Sequence, residues 1–135
     1  MNTHEKGNLA LLKAISWFQA NGYAVFVPIG HSAAVDIVVA KPEEKAQRVQ
    51  CKWAGRLSFS ARNNPAAKQN YSLDLRSSPK RTDGKWGVSM TYTSDSFDLL
   101  FVSCPVGDFL FPWTNERAER SNISLGKLSE KYKLS

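Results

Sequence analysis

Three polar residues in the first half of the chain, Asp36, Gln50 and Lys52, have the types and the spacing of a small catalytic site. Asp36 opens an apolar, β-branched run over residues 37–40, which is typical of a buried strand. A polar turn over residues 41–45 leads into a second short strand, where Gln50 and Lys52 are two positions apart and share one face. A hairpin of these two strands would bring a carboxylate, an amide and an amine to one point.

This set of groups suits the hydrolysis of a phosphodiester. A carboxylate and an amide oxygen can hold a divalent cation against a phosphate, and an amine beside them can act on the attacking water or on the developing negative charge. The structural alternative is an edge hairpin in which Asp36 is buried and hydrogen-bonded while Lys52 is solvated. The pattern is short, and its spacing alone is compatible with both interpretations.

The motif Asp36…Gln50-Cys51-Lys52, preceded by a helix that carries Glu5, resembles that of the PD-(D/E)XK nuclease superfamily. Within that class the chain is most similar to the small bacterial and phage-type homing endonucleases of group I introns. Archaeal Holliday-junction resolvases are more distant relatives. The similarity covers most of the chain.

Two positions depart from the family's pattern. Val35 stands where the motif has a proline, at a place that only shapes the entry to the strand. Gln50 stands where the motif has its second acid, which removes one anionic metal ligand. The resemblance includes active relatives that have glutamine at this place.

The resemblance implies hydrolysis that depends on Mg²⁺ or Mn²⁺. Asp36 would be the main metal ligand, Glu5 would support the metal or its water, and the Cys51 carbonyl would be a further ligand by the strand geometry. Lys52 would orient or activate the water and stabilise the transition-state charge. Gln50 would position water or complete the coordination shell.

The helix that carries Glu5 is predicted to begin with Thr3 as its N-cap and to end near Asn21. Its apolar stripe repeats at helical spacing and comprises Leu11, Leu12, Ile15 and Phe18. Glu5 falls near the angular position of Leu12, at the edge of this stripe, where its carboxylate can face the sheet. The structural alternative is a glutamate that interacts with the helix dipole in the first turn.

A strand over residues 23–29 is expected after the helix, followed by a small-residue loop over 30–34. This loop leads into Asp36, and the resemblance to resolvases makes Ser32 a candidate phosphate contact. Further strands are predicted over 87–93 and 97–104, and the last of them turns into the apolar residues 109–112. The expected fold is α/β, with a restriction-endonuclease-like core, a mixed central sheet and a long N-terminal helix.

Residues 54–86 contain most of the excess positive charge, with seven basic residues against two acidic ones. Alternating strands over 57–62 and 71–76 flank a turn, which predicts a basic β-ribbon inserted in the domain and facing DNA. The alternative is a solvated loop whose charge aids solubility. The predicted DNA contacts in this segment are Arg56, Arg62, Lys68, Arg76, Lys80 and Arg81. Arg62, Arg76 and Lys68 are the candidates for contacts with base edges.

Composition limits the class of protein. The 135 residues fit one domain, and the net charge of +6 with a pI near 9.5 favours a polyanionic partner, double-stranded DNA before a membrane. No apolar run approaches the length of about 20 residues that a membrane span needs. Cys51 and Cys104 have no partners at zinc-site spacing, so both are expected to be buried free thiols in an intracellular, cytoplasmic protein.

The sequence therefore predicts a metal-dependent, sequence-specific endonuclease that hydrolyses double-stranded DNA. A Holliday-junction resolvase, or another structure-specific nuclease, is the alternative within the enzyme class. A DNA-binding module that has lost its chemistry is the alternative outside it, and Gln50 is its support. One small domain offers one active site, so cutting both strands predicts a homodimer or homotetramer, with contacts through the tail around Leu125 and Leu128.

Overall fold

A long helix, α1 (Thr3–Ala20), begins the chain and packs on one face of the main sheet. The computed structural model describes residues 1–30, 34–57, 71–77, 90–120 and 122–135. Asn2 caps α1 by accepting a hydrogen bond from the backbone N–H of Glu5 at 2.9 Å, and the Glu5 carboxylate accepts the N–H of Asn2 at 3.1 Å. This reciprocal capping box makes Asn2 the N-cap, so the prediction of Thr3 was wrong by one residue.

The buried stripe of α1 is centred on small residues. Ala10, Ala14 and Phe18 are fully buried, whereas Leu12 is 62% exposed. The prediction that Leu12 belongs to the core was therefore wrong. Alanines at the centre of the stripe let the helix backbone lie close to the sheet, and Leu12, about 200° around the axis from Ala10, then points to solvent.

The main sheet has five strands in the order β1-β2-β3-β8-β9. Only β3 and β8 are parallel, and the other neighbours are antiparallel, so the predicted mixed α/β fold is confirmed. The bounds are β1 (Ala24–Phe26), β2 (Ile37–Ala40), β3 (Gln47–Trp53), β8 (Leu99–Cys104) and β9 (Gly107–Pro112).

Smaller elements complete the described chain. A three-stranded sheet has the order β10-β5-β4, and β6 pairs with β7. A short helix, α2 (Asn115–Ala118), follows β9, and a 3₁₀ helix (Lys127–Tyr132) lies near the C-terminus. The strand bounds are β4 (Arg56–Leu57), β5 (Tyr71–Asp74), β6 (Arg76–Ser77), β7 (Met90–Thr91) and β10 (Asn122–Ser124).

Two apolar clusters lie on opposite faces of the main sheet, as the alternation of side chains along its strands requires. The α1 face contains Phe18 with Ile37, Val49 and Phe101. The other face, which we call the small-sheet face, contains Leu100 and Phe111 from the main sheet, with these residues from the smaller elements and the loops: Leu73, Leu75, Tyr92, Phe97, Trp113, Ile123 and Leu125.

The parallel pair β3–β8 needs a long connection, and both ends of this connection are fixed by backbone hydrogen bonds. The Ala54 N–H donates to the carbonyl of Ser103 at 2.8 Å where the chain leaves β3. The Asp98 N–H donates to the carbonyl of Arg48 at 2.9 Å where it returns to β8. Residues 54–98 therefore leave and rejoin the sheet at defined points.

Several predicted boundaries change. The strand expected over 23–29 is only three residues long, because β1 pairs with β2 alone and Pro28 cannot donate to a ladder. In the C-terminal tail, Leu125 is 2% exposed within the small-sheet face. Leu125 is therefore core, and its assignment to a subunit contact was wrong. Within the described residues no helix is long and apolar enough to cross a membrane.

Candidate active site

The β2–β3 hairpin brings Asp36 to the side of β3, as the sequence predicted. The backbone N–H of Asp36 donates to the carbonyl of Val49 at 2.9 Å, so the antiparallel pairing continues one residue before β2. The Asp36 carboxylate then accepts the backbone N–H of Cys51 at 2.8 Å. Its side chain thus lies against the segment that carries Gln50 and Lys52.

The environment of Asp36 opposes its charge. Burial raises the pKa of this carboxyl, and the hydrogen bond from the Cys51 N–H and the positive charge of Lys52 only partly offset that effect. A carboxylate in this situation is stabilised by a cation placed against its free oxygen. These electrostatics suit a metal ligand and also a buried structural aspartate.

Gln50, on the neighbouring strand, has an unusual environment of its own. Its side chain is 8% exposed, and its Nε2 makes one long contact of 3.5 Å with the Cys51 carbonyl. Its Oε1 is buried and has no hydrogen-bond partner among the described residues. A buried oxygen without a partner costs about 1–3 kcal/mol of stability, so such an atom indicates a missing donor or cation.

Lys52 lies on the same face of β3 as Gln50, two residues further along the strand. Its Nζ is 5.2 Å from the centroid of the Tyr92 ring, within the range of a cation–π interaction. Tyr92 is itself fixed by edge-to-face contacts with Phe97 at 5.2 Å and Trp113 at 6.3 Å. The lysine therefore has a rigid aromatic support, which sequence reasoning missed because Tyr92 comes from the distant return of the crossover.

Cys51 contributes to this site only through its backbone. Its thiol faces the α1 side of the sheet, and burial, followed by the nearby charge of Asp36, raises the pKa of the thiol far above its ordinary value. A thiol held in that state is neither a nucleophile nor a metal ligand at neutral pH. Its carbonyl oxygen remains a candidate ligand. Both cysteines are buried and free, as predicted.

Glu5 is exposed at the start of α1 and takes part in the capping box. Two contacts give the direction of the helix: the Phe18 ring lies against Phe101 in mid-sheet, and Lys13 Nζ lies 3.7 Å from Asp108, near the start of β9. The N-terminus of α1 therefore points beyond the end of the sheet where β3 also ends, about 12 Å further than Lys13. Glu5 lies at the Lys52 end of the molecule, without a described contact to Asp36.

The oxygen donors at the hairpin are compatible with a hard divalent cation. The carboxylate of Asp36, the unpartnered Oε1 of Gln50 and the carbonyl of Cys51 are the donor types that Mg²⁺ and Mn²⁺ prefer. Across the described ranges no three or more His, Cys, Asp or Glu side chains cluster at one point. One carboxylate among three donors predicts weak metal affinity.

Most of the predicted DNA contacts cannot be placed. Ser32, Arg62, Lys68, Lys80 and Arg81 lie outside the described residues. Arg56 is exposed on β4, four residues beyond Lys52, and its strand pairs with β5 at Ser72. Arg76 begins β6, where its backbone pairs with Thr91. The pairing of β4 with β5 joins Leu57 to Tyr71, but Arg76 lies in a separate pair with β7, so the strand predicted over 71–76 is divided into two.

This fold and this site define a class of protein. The sequence profile of the PD-(D/E)XK endonuclease family matches residues 1–131, and the chain belongs to that family. The fold is also similar to a solved structure described as that of a bacterial homing endonuclease, I-Ssp6803I. The similarity has a TM-score of 0.75 at 21% identity and covers 98% of this chain and 89% of that one. No curated protein sequence matches the chain.

Proposed function

We propose that this protein is a Mg²⁺- or Mn²⁺-dependent endonuclease that recognises a specific sequence in double-stranded DNA, as a homing endonuclease does. Family membership supports a nuclease. The observation that carries the metal-dependent part of the proposal is the unpartnered, buried Oε1 of Gln50, opposite Asp36 in the register of the hairpin and on the same face of β3 as Lys52. These three groups can hold a cation and a scissile phosphate at one point.

Each residue has a defined part in this proposal. Asp36, Gln50 and the Cys51 carbonyl hold the cation, which when bound supplies Lewis-acid polarisation of a phosphate oxygen. Lys52 orients the attacking water and neutralises the charge that develops on the phosphate. Glu5, at the same end of the molecule, supports the metal through water, and its capping-box contact leaves one carboxylate oxygen available.

Cleavage of plasmid DNA in the presence of Mg²⁺ tests the proposal directly. Asp36→Ala and Lys52→Ala should abolish nicking and retain most of the affinity for DNA, since neither is the main source of binding charge. Lys45→Ala is the matched control, because it removes an exposed lysine from the turn at the other end of β3. Retained cleavage in both site variants would refute the assignment.

A DNA-binding module without chemistry is the second candidate, and the replacement of the family's acid by Gln50 is the observation that favours it. In the same assay such a module shifts plasmid DNA without nicking it. Comparing four-way junctions with linear duplex distinguishes a resolvase from a duplex endonuclease.

We propose that the whole chain is one nuclease domain and that residues 54–86 are an insertion in it that faces and reads the DNA. Arginines suit bidentate contact with guanine. Alanine at a base-reading arginine, Arg62 or Arg76, should cost about 1–3 kcal/mol and relax preference at one position. Alanine at a lysine that contacts phosphate, such as Lys80, should weaken binding equally on all sequences.

We propose a homodimer or homotetramer, because one domain offers one active site and cutting both strands of a duplex needs two. Because Leu125 is core, the surface available for self-association changes from the predicted one. Among the described residues, the β1 edge of the main sheet exposes Phe26, Val27 and Ile29, which are 57%, 61% and 105% exposed. Sedimentation of a monomer at micromolar concentration, both with and without DNA, would refute the paired-site arrangement and favour a nickase.

A further inference from the structure

A cavity of about 610 Å³ lies beside the end of β9, and its lining residues are distinct from those of the candidate active site. Three cationic side chains line it, Arg117 and Arg120 from the α2 region and Lys131 from the 3₁₀ helix. Its acidic and phenolic members are Glu116 and Tyr132. None of these residues belongs to the predicted ribbon or to the β2–β3 hairpin.

Arg117 is fixed in this cavity. Its Nη1 donates to the carbonyl of Pro112 at 2.6 Å, and its guanidinium carbon lies 4.7 Å from the Tyr132 ring centroid and 5.4 Å from that of Phe111. The remaining N–H groups are held in a defined direction by these contacts. A guanidinium held in this way loses little conformational entropy when it binds a phosphate.

The potential at the cavity favours an anion. Lys131 Nζ lies 5.0 Å from the centroid of the Tyr132 ring, so two cations flank this tyrosine. Hydrogen bonding from Arg117, followed by that from Lys131, lowers the pKa of the Tyr132 phenol. Glu116 opposes this field only weakly, because it is paired with Arg120 at 2.9 Å in an exposed and therefore exchangeable ion pair.

The register of the sheet relates the cavity to the active site. Phe111, under the Arg117 guanidinium, pairs with Leu100, which pairs with Gln50. Alternation therefore puts Phe111 and Gln50 on the same face and at the same level, two strands and about 10 Å apart. That separation is close to the width of a DNA groove, about 12 Å for the major groove.

We propose that this cavity, formed by Arg117, Arg120 and Lys131, binds the sugar–phosphate backbone of the DNA duplex that flanks the cleaved bond. The inference rests on the proposed function and extends the DNA surface to the C-terminal part of the chain. The rings of Phe111 and Tyr132 are already covered by cations, which leaves no free aromatic face for a stacked base. The contact is therefore with phosphate and is independent of sequence.

The test measures affinity for a random-sequence duplex of about 30 base pairs, without divalent metal, over a range of salt concentrations. Each phosphate contact adds about 0.9 to the slope of log K against log salt. Arg120→Gln and Lys131→Gln should each reduce the slope by about 0.9. Both side chains are exposed, so neither substitution disturbs the core. Lys45→Gln, which removes the same charge at a distance, should leave the slope unchanged.

Glu116→Gln should change the affinity for DNA in the opposite direction, by raising it. Without its carboxylate, Arg120 is free for phosphate, and affinity at low salt should rise about two- to fivefold. Unchanged slopes in both cation variants, in a protein that still nicks plasmid DNA, would overturn the backbone site and leave the nuclease intact. A wild-type protein that neither binds nor nicks DNA would overturn both. Altered sedimentation of the variants with unchanged slopes would identify the cavity as a protein contact and overturn the inference.

Discussion

Replacing Gln50 by glutamate tests the candidate metal site through stability alone. The substitution changes one buried amide into a carboxylate of the same shape and restores the acid of the family motif. Because Oε1 of Gln50 has no hydrogen-bond partner among the described residues, the new charge has no donor to receive it. Without metal, the variant must accommodate two carboxylates, at positions 36 and 50, on neighbouring strands.

The expected magnitude follows from this geometry. Groups on adjacent strands are about 5 Å apart, and two unit charges at that distance repel by about 3 kcal/mol at an effective dielectric constant of 20. For a chain of 135 residues this corresponds to a fall in Tm of about 10 °C at neutral pH. A cation that binds both carboxylates removes the repulsion. At a metal concentration 100-fold above Kd the gain is about 2.7 kcal/mol, which restores most of the loss.

Thermal unfolding with EDTA and with a series of Mg²⁺ concentrations measures both quantities. Gln47→Glu is the matched control, since it adds the same charge to the same strand at a half-buried position with the opposite side-chain direction. The control should change Tm little and show no dependence on Mg²⁺. In the Gln50→Glu protein the midpoint should rise steeply with Mg²⁺, and more steeply than in the wild type.

Two results would contradict this reasoning. If Gln50→Glu loses stability and Mg²⁺ does not restore it, position 50 is a buried structural site and does not hold a cation. If Gln50→Glu is as stable as the wild type in EDTA, the two side chains do not share a site. Plasmid cleavage by the same proteins then shows whether tighter metal binding also increases the rate.

Three further outcomes are expected. Tyr92→Leu should lower the cleavage rate about tenfold in a single-turnover assay by releasing Lys52. Tyr92→Phe keeps the ring, so its cleavage rate should match that of the wild type. Glu5→Gln keeps a capping acceptor, so its Tm should match the wild type while cleavage at limiting Mg²⁺ falls severalfold; unchanged cleavage would restrict Glu5 to capping. Hydrogen bonds from Arg48 lower the pKa of Asp98, so this carboxylate stabilises the fold above about pH 4 and loses that effect as the pH falls through its depressed pKa. Asp98→Asn should cost about 1 kcal/mol at pH 7, an amount reduced by solvent exposure, and the difference should vanish in strong acid in a pH series of chemical denaturation.

The β2–β3 hairpin was predictable because its signals are local. Polar residues 41–45 set the turn, and alternation along β3 puts Gln50 and Lys52 on one face and Cys51 on the other. The mixed sheet followed from the resemblance and from the apolar strands near the end of the chain. These features depend on neighbours in sequence, where period and turn chemistry are informative.

The contact of Tyr92 with Lys52 and the unpartnered state of the Gln50 Oε1 could not be predicted, because neither depends on neighbours in sequence. The contact of Tyr92 with Lys52 joins the two ends of a long crossover, and no local period encodes it. Whether the Gln50 Oε1 finds a hydrogen-bond donor depends on all the residues that pack around it. Leu12 was assigned to the core by its hydrophobicity, although the alanines of α1 decide which side of the helix approaches the sheet.

The way in which the crossover joins β3 and β8 limits where the proposed target specificity can change. Backbone hydrogen bonds anchor it at Ala54 and at Asp98, next to β3, the strand that carries Gln50 and Lys52. Between these anchors, Leu73, Leu75, Tyr92 and Phe97 belong to the core, so only changes at solvent-facing positions of the crossover would leave the hairpin and the support of Lys52 untouched. If residues 54–86 face DNA as proposed, such changes would alter target preference, by evolution or by engineering, while Asp36, Gln50 and Lys52 keep their positions.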